Sequence, residues 1–437
     1  MSTGLQPSPS AGADFAQRAL RVFRMSTVLA AGSVLRLGLE KFVLIPLVLP
    51  TLGAETLGKF VLLLGWAQVL GQFAPGGVSD ALLRLYREAQ EKRQWQALLA
   101  TATVLTGAVS LAVMLAGGGG FMLFRGGWAP TWMIWGAAGL GAYSLLQAIQ
   151  RIAETGFRVE LQFGRMGVVQ VVAGVLLLGG IPAAYLLGFE GLALTYAAAE
   201  LLAVGVQFWL LRGRGFGHRM FDPAWAGRLC LVAPTFVLAS ALGIASIQAS
   251  RLVLGAYRPY ELVTVCYVAE SVILMALGPL DFVAKTIYTL IARKGQPGDI
   301  PRQAILQHVL ASLLCSVATF LAINLAGRWI LRQLFSSVAE EAWPVVSVLS
   351  YGGAAKVLVM FTRGFLYRFG SYRRIILYSA IDLLVLLPCL LVSVPRWGLM
   401  GAAYSITISQ CVSGAVWFGT YLWAFLVKGA PQRAGPS

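Results

Sequence analysis

Apolar residues fall into twelve long stretches along this chain, separated by short polar connections. A helix needs about 20 apolar residues to cross the hydrocarbon core of a bilayer, and each stretch reaches that length. The pattern predicts an all-α polytopic membrane protein with twelve transmembrane helices, at residues 25–50, 57–78, 96–124, 130–150, 162–187, 190–211, 229–256, 261–292, 303–326, 343–366, 371–394 and 398–427.

The amino-acid composition points the same way. The chain has 437 residues, of which 58% are hydrophobic and only 12% are charged. A soluble domain of this size could not cover its surface with so little charge. Little length remains outside the predicted helices, so we expect one membrane domain with a tail at each end, at 1–24 and 428–437.

Lysine and arginine are concentrated in every second connection. Of the 34 basic residues, 23 lie in connections on one side of the membrane and 6 on the other. The positive-inside rule makes the first side cytoplasmic and places both termini there. The net charge of +16 therefore indicates topology and attraction to anionic membrane lipids rather than nucleic-acid binding. We expect a multi-pass protein of a bacterial cytoplasmic membrane.

The two halves of the chain resemble each other. FEGLALTYAAAE (189–200) and RWGLMGAAYSIT (396–407) align if Gly191 matches Gly398, a separation of 207 residues. A weaker similarity pairs TLGAETLGKF (51–60) with VLGAYRPYELVTVCY (253–267). Internal repeats of this kind are typical of transporters, with the binding site at the repeat interface. The prediction is two six-helix bundles, 25–211 and 229–427, joined by a cytoplasmic linker at 212–228 around a central cavity.

Sequence motifs for soluble-type catalysis or nucleotide binding are absent. The chain has no Walker motif, no GxSxG and no HExxH, and its two histidines, His218 and His308, could not build a metal site without help from other residues. We therefore expect no enzyme activity, no cofactor and no metal.

Four features of the sequence carry a family resemblance. They are the turn LGAETLGKF (52–60), the segment APGGVSDALLRLYRE (74–88), the two Gly-Leu helix starts at 191 and 398, and the twelve-helix count. In these the chain resembles the O-antigen type of polysaccharide flippases in the multidrug/oligosaccharidyl-lipid/polysaccharide exporter (MOP) superfamily. Relatives often carry an acidic residue beside a basic one in the seventh helix, whereas here Ser250 stands beside Arg251.

The resemblance implies a flippase that moves a polyprenyl-pyrophosphate-linked oligosaccharide across the cytoplasmic membrane by alternating access. Such a flippase serves the assembly of a cell-surface polysaccharide such as the O-antigen of lipopolysaccharide. The polysaccharide polymerase machinery is its expected partner. The absence of a nucleotide site leaves an ion gradient, the membrane potential or substrate supply as the driving force.

Charged residues inside the predicted helices are candidates for function, because each costs at least about 2.5–3.5 kcal/mol at the bilayer centre. Cations can bind the pyrophosphate of an anionic cargo, and amides can bind its sugars. The candidate cavity contacts are Arg36, Lys41, Arg251, Lys356, Gln68 and Gln72. The candidates for ion coupling or structural ion pairs are Glu40, Glu270, Asp281, Lys285 and Asp382.

The competing interpretation is that these charged residues form structural ion pairs with one another, and their spacing in the sequence allows it. Arg36 with Glu40 and Asp281 with Lys285 are four residues apart, which places each pair on one helix face. Each of the candidate cations, Arg36 included, could also pair with an acid on another helix, such as Asp382 or Glu200.

Three other functions compete with the flippase. Export of small cationic drugs fits the same architecture but is disfavoured by an excess of buried cations, which would repel such cargo. A membrane glycosyltransferase usually needs acidic metal-binding motifs or a large outer loop. A non-transporting scaffold would not need unpaired charge inside its helices.

Overall fold

A computed structural model describes residues 31–71, 73–124, 131–160, 162–212, 221–293, 302–369 and 372–427. Within these ranges the chain is helical apart from short turns, and no strand occurs there. The predicted tails at 1–24 and 428–437 lie outside the described residues.

Eleven helices make up the described chain. The first contains a π-helical turn at Leu39–Leu44 and the last runs into another at Trp423–Val427. The helices are α1 (Ala31–Gly71), α2 (Phe73–Glu91), α3 (Trp95–Phe124), α4 (Thr131–Val159), α5 (Phe163–Leu177), α6 (Gly180–Arg212), α7 (Pro223–Tyr257), α8 (Tyr260–Arg293), α9 (Arg302–Leu334), α10 (Ala339–Phe369) and α11 (Tyr372–Leu422).

Three of these helices are broken by a glycine in the left-handed region. Gly53 in α1, Gly188 in α6 and Gly398 in α11 have φ values of 77°, 62° and 55°. Glycine adopts such angles without the steric penalty that a Cβ would impose. The chain reverses at the last break, since the Ser393 hydroxyl donates a hydrogen bond to the Gly401 carbonyl at 2.9 Å.

These reversals account for the twelve crossing segments among the described residues, so the predicted fold class is confirmed. Eight helices are long and apolar enough to cross a membrane, and two of them, α1 and α11, supply two segments each. The fourth segment is α4, which is more polar, and the fifth combines α5 with the start of α6 as far as Gly188.

The break glycines correct the register of the internal repeat. Gly188 and Gly398 occupy the same place in the two halves, so Gly191 corresponds to Gly401 rather than to Gly398. The surroundings agree: a Cβ on Gly191 would lie 2.2 Å from the Ala183 carbonyl oxygen, and one on Gly401 would lie 2.3 Å from that of Ser393. The true separation is therefore 210 residues. An alignment on the Gly-Leu dipeptide overlooks the GxxG motif that both halves share, at 188–191 and 398–401.

The linker between the halves is shorter than predicted. Helix α7 begins at Pro223, and the Asp222 carboxylate caps it by accepting a hydrogen bond from the Ala224 amide at 2.9 Å. An N-cap aspartate followed by proline is a strong helix start, which extends the helix six residues ahead of the predicted 229. Residues 213–220 of the linker lie outside the described chain.

The two halves, residues 31–212 and 221–427, pack tightly at two places where glycine lets backbones meet. Helix α1 packs against α7 and α8, and α2 packs against α7. A Cβ on Gly58 would lie 1.9 Å from the Tyr260 carbonyl oxygen, and one on Gly77 would lie 2.1 Å from the Val237 amide nitrogen. Thr264 adds a hydrogen bond to the Ala54 carbonyl at 2.6 Å. The end of the molecule at the Gly53 turn is therefore closed between the halves.

The shared GxxG motif predicts that a methyl group added at its second glycine destabilises the protein to a similar extent in either half. We expect Gly191→Ala and Gly401→Ala each to lower the unfolding temperature in detergent by several degrees, because the new Cβ would overlap a backbone carbonyl. Gly205→Ala is the matched control, since nothing lies within 4 Å of its Cβ position. Equal unfolding temperatures for all three variants would contradict the corrected register.

Candidate functional site

A cavity of about 530 Å³ between the two halves is the main candidate site. All seven helices that line it supply polar side chains to a common space, which is the usual arrangement of a binding cavity. Its lining consists of Gln68, Asp80, Gln147, Arg151, Ala239, Ser240, Gly243, Ile244, Ile247, Gln248, Asp281, Lys356, Val359, Arg363, Tyr378, Ser379, Asp382, Gln410, Ser413 and Trp417.

Amide and hydroxyl groups dominate the uncharged part of this lining. Gln68 and Gln248 join the two halves through a hydrogen bond of 2.7 Å from the Gln248 amide to the Gln68 carbonyl. Gln147 donates to the Tyr143 hydroxyl at 2.8 Å. On the opposite wall, Tyr378 packs edge-on against Trp417 with ring centroids 5.2 Å apart. The cavity therefore offers donors, acceptors and an aromatic surface together.

The charges that line the cavity are balanced among the described residues. Three cations face it, from Arg151, Lys356 and Arg363, and three acids, from Asp80, Asp281 and Asp382. This differs from the cationic cavity that the sequence predicted. The reason is that three of the four predicted cations pair with acids away from this cavity, as described next. Arg36 and Arg251 pair across helices, and Lys41 pairs within its own helix.

Arg251 forms an ion pair with Glu270 of the next helix, in which two of its nitrogens donate to one carboxylate oxygen. Its Nε lies 2.7 Å from a Glu270 carboxylate oxygen, to which Nη2 also donates. The other carboxylate oxygen accepts from the Ser250 hydroxyl at 3.0 Å. Arg251, only 4% exposed, lines a smaller cavity of about 70 Å³ rather than the large one. Ser250 is thus part of the carboxylate's hydrogen-bond shell.

Arg36 pairs across helices with Glu200. The two side chains approach to 2.6 Å, and Arg36 also donates to Gln170 at 3.1 Å and to Gln150 at 3.4 Å. The pair along one helix face with Glu40, which spacing allowed, is replaced by this pair because Glu200 is buried against α1 and needs a cation. Arg36 is not among the residues that line either cavity.

Lys41 connects the two halves through an aromatic ring. Its ammonium lies 2.6 Å from Glu40, its own neighbour in the π-helical turn, and donates to the Tyr267 hydroxyl of α8. The Arg251 guanidinium lies 4.8 Å from the centre of the same ring. Lys41 is also absent from the lining of both cavities.

Lys356 and Asp382 are the predicted candidates that line both cavities. The Asp382 carboxylate accepts hydrogen bonds from the Ser246 and Ser409 hydroxyls. Within the described part of the chain, Lys356 has no hydrogen-bond or ion-pair partner, and it is only partly buried. It is therefore the candidate cation best placed to meet a ligand.

The remaining predicted residues divide between the cavity and the undescribed positions. Gln68 and Asp281 line the cavity, and Glu270 lines the smaller one. Gln72 and the Lys285 side chain lie outside the described residues, so the proposed pair of Asp281 with Lys285 stays a prediction.

Three charged lining residues were not identified as candidates from the sequence. Arg151 and Arg363 counted only as basic residues of cytoplasmic connections, and Asp80 was not singled out. Helices α2, α4 and α10 continue past the predicted apolar spans, and all three residues lie in the cavity wall.

Solved structures with the same fold are transporters. Over 94% of this chain and 98% of the other, a mutant of the MATE transporter VcmN from Vibrio cholerae aligns with a TM-score of 0.66 and 14% identity. A MOP superfamily transporter from Pyrococcus furiosus aligns over 91% of this chain and 94% of its own, with a TM-score of 0.70 and 15% identity. An outward-facing multidrug resistance MATE family transporter aligns over the same shares with a TM-score of 0.67 and 16% identity.

The chain thus has the fold of the MATE transporters of the MOP superfamily. At these identities the likeness establishes the fold and nothing finer. No family model matches the sequence. No curated protein matches it either.

The pair of Arg251 and Glu270 predicts a strong asymmetry between single and double substitutions. Arg251→Met or Glu270→Gln alone would leave one buried group without its partner, and we expect a loss of about 3–5 kcal/mol for the arginine substitution. Arg251→Met combined with Glu270→Met removes both charges, so stability should return close to that of the wild type. The free energy of unfolding in detergent measures this. Additive losses in the double variant would show that the two charges act independently.

Proposed function

We propose that this protein is a flippase that moves a polyprenyl-pyrophosphate-linked oligosaccharide across a bacterial cytoplasmic membrane by alternating access. The observation that carries the proposal is the composition of the large cavity, where amides, hydroxyls and an aromatic pair surround a partly buried lysine without a described partner. Sugars present many hydroxyls and apolar ring faces, and a pyrophosphate presents oxygens to a cation.

Each part of the cargo finds a matching part of the cavity. Lys356 would bind the pyrophosphate, with Arg151 and Arg363 nearer the opening. Gln68 and Gln410 would bind sugar hydroxyls, and the Tyr378 ring would face the sugars. The polyprenyl chain would stay in lipid, which suits a cavity whose wall also contains apolar side chains.

Alternating access fits the asymmetry of the two ends. The end at the Gly53 turn is closed by the contact of Gly58 with Tyr260, whereas the cavity extends toward Arg363, which is exposed. If the basic residues lie on the cytoplasmic side, the cavity faces the cytoplasm in this conformation, with both termini on that side. Rocking of the two halves would then expose it outward.

Export of small organic cations is the second candidate, and the three lining acids favour it. The fold is also that of MATE transporters, one of which is described as a multidrug resistance transporter. The Pyrococcus furiosus transporter is described as having a binding pocket of reversed polarity that suggests a different function, so one fold accommodates pockets of different charge. In this second function, Asp382 rather than Lys356 would contact the cargo.

Substitution of Lys356 and of Asp382 distinguishes the flippase from the exporter of organic cations. In proteoliposomes loaded with the lipid-linked oligosaccharide, we expect Lys356→Gln to slow its appearance in the outer leaflet by about tenfold, the effect of losing one charge-assisted hydrogen bond. Lys356→Arg should retain most of the rate. Digestion of the glycan by an externally added glycosidase measures the transfer.

Arg396→Gln is the charge-matched control, because Arg396 is exposed near the Gly398 turn and does not line the cavity. It should transfer the lipid like the wild type. The flippase proposal fails if the wild-type protein leaves the lipid in place but exports an organic cation, and if Asp382→Asn abolishes that export while Lys356→Gln does not.

A further inference from the structure

The internal repeat relates four of the charged residues that line the large cavity. Asp80 lies on α2 in the second crossing segment, and Asp281 lies on α8 in the eighth. Arg151 lies on α4 in the fourth segment, and Arg363 lies on α10 in the tenth. Each half therefore contributes one acid from its second segment and one base from its fourth.

The sequence offsets bracket that of the repeat. The two aspartates are 201 residues apart and the two arginines 212, while the glycine breaks after the fifth and eleventh segments are 210 apart. Arg363 therefore lies two residues and Asp281 nine residues from the positions that an offset of 210 would give. The repeat relates the four residues by the crossing segments that carry them rather than position by position.

The charges attract across the boundary between the halves. Asp80 of the first half experiences the positive charge of Arg363 of the second, and Arg151 of the first experiences the negative charge of Asp281 of the second. Asp80 and Arg151 each also have a partner in their own half, since Arg158 acts on Asp80 and Glu154 acts on Arg151 more strongly than Asp281 does. The cross-half attractions are therefore reciprocal: each half presents an acid to the other half's base.

We propose that these four residues form the gate that closes the cavity at its open end. As the halves approach, water leaves and the effective dielectric constant falls, so each attraction strengthens several-fold. Two opposite charges can be enclosed together, whereas two like charges would resist enclosure. Because each half contributes one acid and one base, an approach of the halves at this end would bring both pairs together. The gate does not depend on which cargo the cavity carries.

Disulfide trapping in the full-length protein tests the geometry of the gate. We expect Asp80→Cys with Arg363→Cys, and Arg151→Cys with Asp281→Cys, to cross-link on mild oxidation, since closure would bring each pair of Cα atoms within about 7 Å. The mismatched combinations, Asp80→Cys with Asp281→Cys and Arg151→Cys with Arg363→Cys, are matched controls and should cross-link about tenfold more slowly. Mass spectrometry of the linked peptides distinguishes them from the five native cysteines.

Charge exchange tests whether attraction drives the closure. In the variant that carries Arg151→Cys and Asp281→Cys, we expect an added Asp80→Arg to slow cross-linking by about tenfold, because two arginines would then oppose each other. Adding Arg363→Asp as well should restore the rate. If Asp80→Arg prevents folding, Asp80→Asn should give a smaller slowing in the same direction.

Two results would overturn the proposal. One is cross-linking of matched and mismatched pairs at equal rates, or of neither, in protein that stays monodisperse. The other is a slowing by Asp80→Arg that Arg363→Asp does not reverse. Neither experiment uses a transported substrate, so failure of the gate and failure of the flippase proposal can be told apart.

Discussion

Charge inside a hydrocarbon layer has to be neutralised within a few ångströms, and this requirement organises the middle of the molecule. Arg36 meets Glu200 at 2.6 Å, and Arg251 meets the Glu270 carboxylate through two nitrogens. The first pair joins α1 to α6 and the second joins the consecutive helices α7 and α8, so each pair selects which helices can pack together. A pairing error would bury an uncompensated charge at a cost of several kcal/mol.

The same requirement links the two halves. The Tyr267 ring lies between the Lys41 ammonium, 4.2 Å from its centre, and the Arg251 guanidinium at 4.8 Å. An aromatic face attracts a cation without carrying charge of its own. Two cations from opposite halves can therefore share one neutral side chain, while each keeps its own carboxylate. Such a contact can be broken during a rocking motion without leaving any of the charges unpaired.

Much of the fold could be predicted from sequence, because the apolar stretches report crossing segments directly and all twelve are present. The sequence did not show which acid each buried cation pairs with. Local spacing predicts pairs four residues apart, and it suggested Glu40 for Arg36, whereas the acid that binds it is 164 residues away. The cavity wall was likewise hidden at the helix ends, where Arg151 and Arg363 look like ordinary cytoplasmic residues. Their places on corresponding segments, two residues apart in register, become visible only when the repeat is aligned by Gly188 and Gly398.

The two ends of the cavity would then close by different physics. At the Gly53 turn, Gly58 lets α1 lie against the Tyr260 backbone, a contact governed by shape and by dispersion over a few ångströms. At the other end the surfaces carry opposite charges, which attract over roughly a Debye length of 8–10 Å and weaken in salt. A charged gate pulls the halves together before they touch, and a packed gate holds only after contact. Ionic strength would therefore change the closure of the charged end of the cavity and leave the closure at the Gly53 turn unchanged.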